Sequence, residues 1–237
     1  MTSPHLLHLH IHTKLGHLSL NIKLSMGAET VVIIGPNGAG KSSLLACLLG
    51  TRAIERGFIS LNKATLFDSM KHIHIPIEQR QIGFVPQDAC LFPHLTVKQN
   101  IAFAIQSREP NLHPLEYTAR VKKVLHMHDL EAYTHRYPAS LSGGEKQRVA
   151  IARALSVQPS ALLFDEPFAS LDAHMHSVMR KFLKHQLACW NLPTLIVSHD
   201  AEDARELGHR VVVKQEGYIM QQGRVKKKKK EPASYFV

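Results

Sequence analysis

Gly35-Pro36-Asn37-Gly38-Ala39-Gly40-Lys41-Ser42 has the spacing G-x-x-x-x-G-K-S. Four apolar residues, Val31 to Ile34, lead into it, and a helix-forming run from Ser43 to Leu49 leads out. This strand–loop–helix context separates a phosphate-binding loop from a Gly-rich turn. Gly35, Gly38 and Gly40 let the backbone curl until several N–H groups face one centre. The following helix N-terminus adds unsatisfied donors and the positive end of its dipole. Pro36, Asn37, Ala39 and Ser43 belong to the same phosphate-binding stretch. Lys41 has the reach for β- and γ-phosphates, and the Ser42 hydroxyl suits Mg²⁺.

Three further stretches supply the chemistry such a loop needs. Ala161 to Phe164 reads as a buried strand that ends in Asp165-Glu166-Pro167. Ligands bind at the C-terminal tips of open α/β sheets. Neighbouring strand residues point to opposite sides. Asp165 is therefore expected to serve the metal, and Glu166 to orient or deprotonate an attacking water. Gln87 ends the strand Ile82–Pro86, where its amide can touch metal or water. Ser198-His199-Asp200 follows a third apolar run, so His199 is a candidate hydrogen-bond donor to a γ-phosphate oxygen. Leu141-Ser142-Gly143-Gly144-Glu145 carries a capping box, Ser142 with Glu145, and two glycines that expose amides at a helix start. That is a second potential anion site. One nucleotide does not need two such sites on one chain, so this one is expected to address a phosphate held by another copy.

The remaining chain organises around these motifs. His8 to His12 alternates strictly, with Leu9 and Ile11 inward and three histidines on the polar face; 17–24 alternates again. Gly57–Leu61 and Ala64–Phe67 read as short strands, and Pro76–Gln81 as a polar connection. Residues 88 to about 157 lack strong strand signals. Thr96 with Gln99 caps a helix over Val97–Ile105, and Pro114 opens another to about Leu125. Sheet character returns at Leu195–Val197 and Val211–Val213, with helices over Met175–Cys189 and Ala201–Leu207 and a closing hairpin at 217–223. Continuous apolar strands suit a parallel sheet covered on both faces. The expected class is α/β with a helical insertion.

Net charge is +10, and Lys226 to Lys230 supply five of those charges in one block. Such a run reads first as solvated, and secondarily as a contact for an anionic membrane or nucleic acid. No run approaches the roughly 20 apolar residues of a membrane span. The start has no basic region followed by an apolar core, as a secretion signal would. Cys47, Cys90 and Cys189 suggest neither a disulfide framework nor a zinc site, which fits a reducing compartment.

Taken together, GPNGAGKSS, VPQ, LSGGEKQRVAIARAL, LLFDEP, SLD and SHD resemble, in that order, the nucleotide-binding subunit of an ATP-binding cassette (ABC) transporter. The resemblance implies a P-loop NTPase (RecA-like) core with a parallel sheet, N-terminal antiparallel strands and an inserted helical subdomain. It covers residues 1–223, with the helical subdomain at about 88–157 and a basic C-terminal tail at 224–237. It implies ATP and Mg²⁺ (on Ser42, Gln87 and Asp165), and a head-to-tail homodimer with each ATP between Lys41 of one chain and Ser142–Gly144 of the other. Asp172 would lie in the loop that crosses this interface. Glu166, His199 and Gln87 would carry the catalytic roles, and the insertion would grip a membrane permease at the cytoplasmic face, served indirectly by an external binding protein.

The segment Asp88 to His94, the stretch Lys14–Leu20 and the order Ile75-Pro76 to Gly83 look like those of molybdate- or tungstate-importer ATPases. Sulfate, ferric iron or polyamine are the alternative cargoes. A nucleic-acid-associated ABC ATPase is disfavoured, because those usually pair two cassettes or carry long insertions. Two features depart from the family pattern. No Phe, Tyr or Trp precedes Phe58, so Leu15, His12 or His17 is expected where an adenine-stacking aromatic usually sits. The sequence ends near where a C-terminal oxyanion-binding regulatory domain would begin, so feedback inhibition through such a domain is not expected.

Overall fold

The computed structural model describes residues 7–16, 18–215 and 218–225. The lysine block, and most of the expected basic tail, lies outside the described residues, as does His17. Strands β1 (Leu7–Leu15), β2 (Leu18–Met26), β3 (Thr30–Ile34), β4 (Arg56–Leu61), β5 (Ala64–Asp68), β6 (Ile73–His74), β7 (Ile82–Val85), β8 (Ala161–Asp165), β9 (Thr194–Ser198), β10 (Arg210–Gln215) and β11 (Tyr218–Arg224) form one sheet in the order β6-β5-β4-β1-β2-β11-β10-β3-β9-β8-β7. From β10 to β7 every neighbouring pair is parallel. The first two strands and β4 to β6 form an antiparallel arm. β6 falls between Phe67 and Pro76, where the sequence reading named no element, since two residues are too few to show a period.

The parallel strands are apolar on both sides because both faces are covered. Alternate residues go to opposite layers. Val31, Ile33, Leu163, Leu195 and Val197 pack with Leu44, Leu45 and Leu48 of helix α1 (Lys41–Leu49). Val32, Leu162, Phe164 and Ile196 pack with helices α4 (Gly143–Ser156), α5 (Ala173–Cys189) and α6 (Ala201–Leu207). A third cluster joins α2 (Val97–Arg108) and α3 (Pro114–Met127) to Leu141, Val149 and Ala152. Helix α4 therefore belongs to two layers. Ala150, Ile151 and Ala154 face the sheet while Val149 and Ala152 face the inserted helices.

Two buried polar residues brace the segments around the site. Arg80 is 1% exposed. Its Nη1 donates to Cys47 O at 3.1 Å and Leu48 O at 2.7 Å, and its Nε to Ile75 O at 2.7 Å. The bond to Leu48 O satisfies a carbonyl that the end of α1 would otherwise leave orphaned, and the bond to Ile75 O ties that helix end to the segment after β6. Asn100, fully buried on α2, accepts from Phe92 N at 2.9 Å and donates to Phe92 O, Leu95 O and Thr96 O. It thereby fixes the segment that follows Gln87.

Candidate functional site

Strand register assembles the site. Ile34 pairs with Ser198, Val197 with Asp165, and Phe164 with Val85. The next residues along these parallel strands, Gly35, His199, Glu166 and the Pro86–Gln87 pair, emerge at one edge of the sheet. Ligand sites in open α/β sheets lie at this carboxyl edge.

Gly40, with φ +81°, is the N-cap of α1, a left-handed conformation that glycine adopts without steric cost. Lys41 begins the helix and is 5% exposed. Its Nζ donates to Gly35 O at 2.9 Å and Pro36 O at 3.2 Å, and lies 3.6 Å from Glu166 Oε1. Ser42 Oγ donates to Asp165 Oδ1 at 2.9 Å. Burial holds the Asp165 carboxyl above the usual carboxylate range, a push that the Ser42 hydrogen bond opposes. His199 Nδ1 lies 3.1 Å from Glu166 Oε2. The two acids do separate, but not by simple strand alternation. β8 ends at Asp165, and Glu166 takes a left-handed φ of +45°, anchored by its N–H on Val197 O at 2.9 Å.

The cleft over these groups has two lobes, of about 660 Å³ and about 590 Å³, which share Asn37, Gln87 and Glu166. The first is walled by Gly38, Gly40, Lys41, Ser42 and Ser43, the second by Gly35, Pro36 and His199. Leu18 and Arg52 also line the first lobe. Sequence reasoning missed both. Leu18 opens β2, two residues after Gly16, and Arg52 lies just past the left-handed Gly50 that ends α1. His12 is half-buried on β1 and is not among the lining residues. His17 and the Leu15 side chain lie outside the described residues.

The second group of candidate residues sits elsewhere. Ser142 Oγ accepts from Glu145 N at 3.3 Å, while Glu145 Oε2 accepts from Ser142 N at 2.6 Å, completing the capping box on α4. That backbone hydrogen bond is the main reason the Glu145 carboxyl lies below its usual range. A Cβ on Gly143 would meet Leu171 Cδ2 at 2.8 Å, and one on Gly144 would meet Met175 Cε at 2.5 Å. The 142–144 turn and the 170–172 loop thus form one continuous surface. Asp172 caps α5 by accepting from Met175 N at 2.9 Å. None of Ser142, Gly143, Gly144 and Asp172 lines the cleft over Lys41.

Behind His199, Arg180 fills a cluster of acids. Its Nε donates to Asp203 at 2.7 Å, its Nη2 to Asp200 at 2.8 Å, and its Nη1 lies 2.6 Å from Glu202. Ser198 Oγ donates to Asp203 Oδ2 at 2.7 Å and accepts from Asp200 N at 3.0 Å. His176, Asp200 and Asp203 lie close enough together for a metal ion, but the Arg180 guanidinium already sits among them, bonded to both carboxylates. The network instead braces the turn that carries His199.

A glycine-lined loop closed by a lysine, with a serine–aspartate pair and a glutamate at the tips of parallel strands, defines the class as a P-loop α/β cassette. The model of the ABC transporter family matches residues 17–169. The chain belongs to that family. It is 41% identical over 219 residues to a sulfate/thiosulfate import ATP-binding protein of Synechocystis sp., covering 92% of this chain and 59% of that protein. It is 39% identical over 213 residues to a molybdate/tungstate import ATP-binding protein of Archaeoglobus fulgidus, covering 90% of this chain and 85% of that one. Among solved structures it is similar to a dimeric ATP-binding cassette in a post-hydrolysis state with ADP and Pi bound. That likeness has a TM-score of 0.75 and 28% identity, over 93% of this chain and 99% of the other. The chain spans about three fifths of the length of the first curated relatives it matches, at 59% and 62%.

Proposed function

We propose that this chain binds MgATP and hydrolyses it as the ATP-binding subunit of an importer, in a head-to-tail dimer that drives a membrane permease. The observation that carries this is the convergence of Lys41, the Ser42–Asp165 pair and the Glu166–His199 pair on one cleft. The donor set suits the hard, oxygen-seeking ion Mg²⁺. Ser42, Asp165 and the Gln87 amide oxygen would hold it, and it would neutralise charge on the β- and γ-phosphates.

The chain's own residues divide the remaining work. Loop N–H groups and Lys41 bind the phosphates, and Lys41 exchanges its contacts with Gly35 O and Pro36 O for phosphate oxygens. Glu166 accepts a proton from the water that attacks the γ-phosphorus, as the bond from that phosphorus to the bridging oxygen breaks. His199 donates to a γ-phosphate oxygen and steadies Glu166. The 142–144 turn and Asp172 act across the dimer on the partner's nucleotide, in keeping with the dimeric, nucleotide-bound state of the similar cassette. Leu18 and Arg52 contribute the wall where a base would rest.

The cargo we propose is molybdate or tungstate, supported by the Asp88–His94 segment and by the Archaeoglobus fulgidus relative. A second reading, sulfate, is favoured by the 41% identity to the Synechocystis protein. The catalytic reading is tested by titrating ATP into wild type and Lys41→Ala. Affinity should fall by at least about tenfold in the variant, and equal affinities would remove the loop from its role. Co-purification with the native permease, followed by vesicle uptake with competing molybdate, tungstate and sulfate, decides the cargo.

A further inference from the structure

Strand β10 carries a residue that none of the nucleotide motifs contains. Val213 is the last partner of Ile34 on β3, and the register against β11 shifts between Val213 and Lys214. Such a bulge re-aims the next side chain. Lys214 is 0% exposed. Lysine is almost never fully buried unless its charge has a partner. Here Nζ donates to the carbonyl oxygen of Ala39, in the middle of the phosphate loop. The backbone carbonyl of Lys214 lies so close to Gly35 that any Cβ there would collide with it. Lys214 therefore touches the loop at its first residue through the backbone and at its fifth through the side chain.

The peptide bond gives that contact a direction. In a trans peptide the C=O and the following N–H point in opposite senses. No cis peptide occurs among the described residues. With Ala39 C=O held down on the Lys214 ammonium, the Gly40 N–H is turned to the other side of that peptide, away from the strand. Gly40 is the left-handed N-cap of α1. The ammonium thus fixes and polarises a peptide unit whose donor end belongs to the anion cradle.

Its charge also counts. From α1, Lys41 faces it with like charge; from the tip of β8, Glu166 pairs with Lys41; from β11, the residue opposite is Ile219. The acceptor of Lys214 is a neutral carbonyl. Burial first, and Lys41 second, push its ammonium down to about 8. Two lysines buried at one loop are costly alone and are relieved by a polyanion above them.

We propose that Lys214 is a positioning residue of the polyphosphate site, setting the Ala39–Gly40 peptide and adding a second buried positive charge beneath the loop. This rests on the nucleotide reading above. The test is calorimetric titration of ADP into the full chain, wild type and Lys214→Met, from about pH 7 to about pH 9.5, with melting temperatures alongside. Near neutral pH the variant should bind ADP about tenfold more weakly, yet melt no lower than wild type, because a buried charge has been removed. A merely structural lysine would not produce that opposition. Wild-type affinity should also fall as pH rises through about 8, where the ammonium is lost, and the variant should lack that fall.

Equal affinities, within about twofold, with the same pH profile would overturn the proposal and leave the nucleotide reading standing. If Lys214→Met does not fold, the wild-type profile decides: a fall above pH 8 supports the proposal and a flat profile overturns it. Wild type that binds no ADP at any pH would overturn the nucleotide reading itself, and this proposal with it.

Discussion

The Ser42 hydroxyl donates to Asp165 Oδ1 at 2.9 Å, tying the first turn of α1 to the tip of β8 across 123 residues of sequence. The bond holds the proposed Mg²⁺ ligands side by side. Asp165→Asn keeps an acceptor for Ser42 and removes the charge that a divalent cation needs. We expect MgATP affinity to fall by about tenfold or more, while affinity for ATP in excess chelator stays near wild type. Titration with and without Mg²⁺ measures both. Equal losses in the two conditions would take Asp165 out of the metal's coordination.

Glu166 sits between Lys41 at 3.6 Å and His199 at 3.1 Å. Glu166→Gln retains the shape and loses the base. ATP binding should persist, hydrolysis should drop by about 10²-fold or more, and an ATP-dependent dimer should accumulate. Phosphate release and sedimentation read these outcomes. Full hydrolysis in the variant would contradict the role given to Glu166.

Arg80 is a stability element at the far end of the phosphate-loop helix. Arg80→Leu orphans the carbonyls of Leu48 and Ile75 in a buried setting, while Cys47 O keeps the Gly50 N–H. Unpaired buried polar groups cost about 1–3 kcal/mol each. A loss of about 3 kcal/mol in denaturant unfolding is expected after partial relaxation. A change under about 0.5 kcal/mol would mean that water or other donors already serve those carbonyls.

His128, buried beside Phe182, is pushed down to about 4 by burial. Between pH 6.5 and about 4 the unfolded chain takes up a proton there that the folded chain refuses. Stability from this group is therefore intact above pH 6.5 and declines as pH falls toward 4, by up to about 3 kcal/mol. Because carboxylates titrate in the same range, the comparison is with His128→Leu, whose unfolding free energy should fall less on acidification. Parallel curves would remove His128 as a source of acid sensitivity.

Much of the site was legible before folding, because its motifs are short and local. The loop at 35–42, the acids at 165–166 and the capping box at 142–145 each need only neighbours in sequence to be read. Thr96 with Gln99 and Pro114 opened their helices as read, since capping chemistry is local too. Residues whose significance depends on remote partners were not legible. Arg180 meets acids that lie 20 and 23 residues away, and Arg80 meets carbonyls 32 and 33 residues away. Leu18, on the antiparallel arm, and Arg52, past the end of α1, line the cleft only once those segments have packed beside the phosphate loop.

By itself, then, the sequence determined the class of fold and the residue types of the phosphate site, through strand periodicity, glycine placement and helix capping. Tertiary structure alone decided three things. Strand register placed Gly35, Gln87, Glu166 and His199 on one edge. A left-handed turn, rather than strand alternation, parted Glu166 from Asp165. Burial turned Lys214, outwardly the polar end of a strand, into a cation beneath the loop. The physical reason is common to all three. Backbone propensity is written within a few residues, whereas proximity and dielectric environment exist only once distant segments have packed.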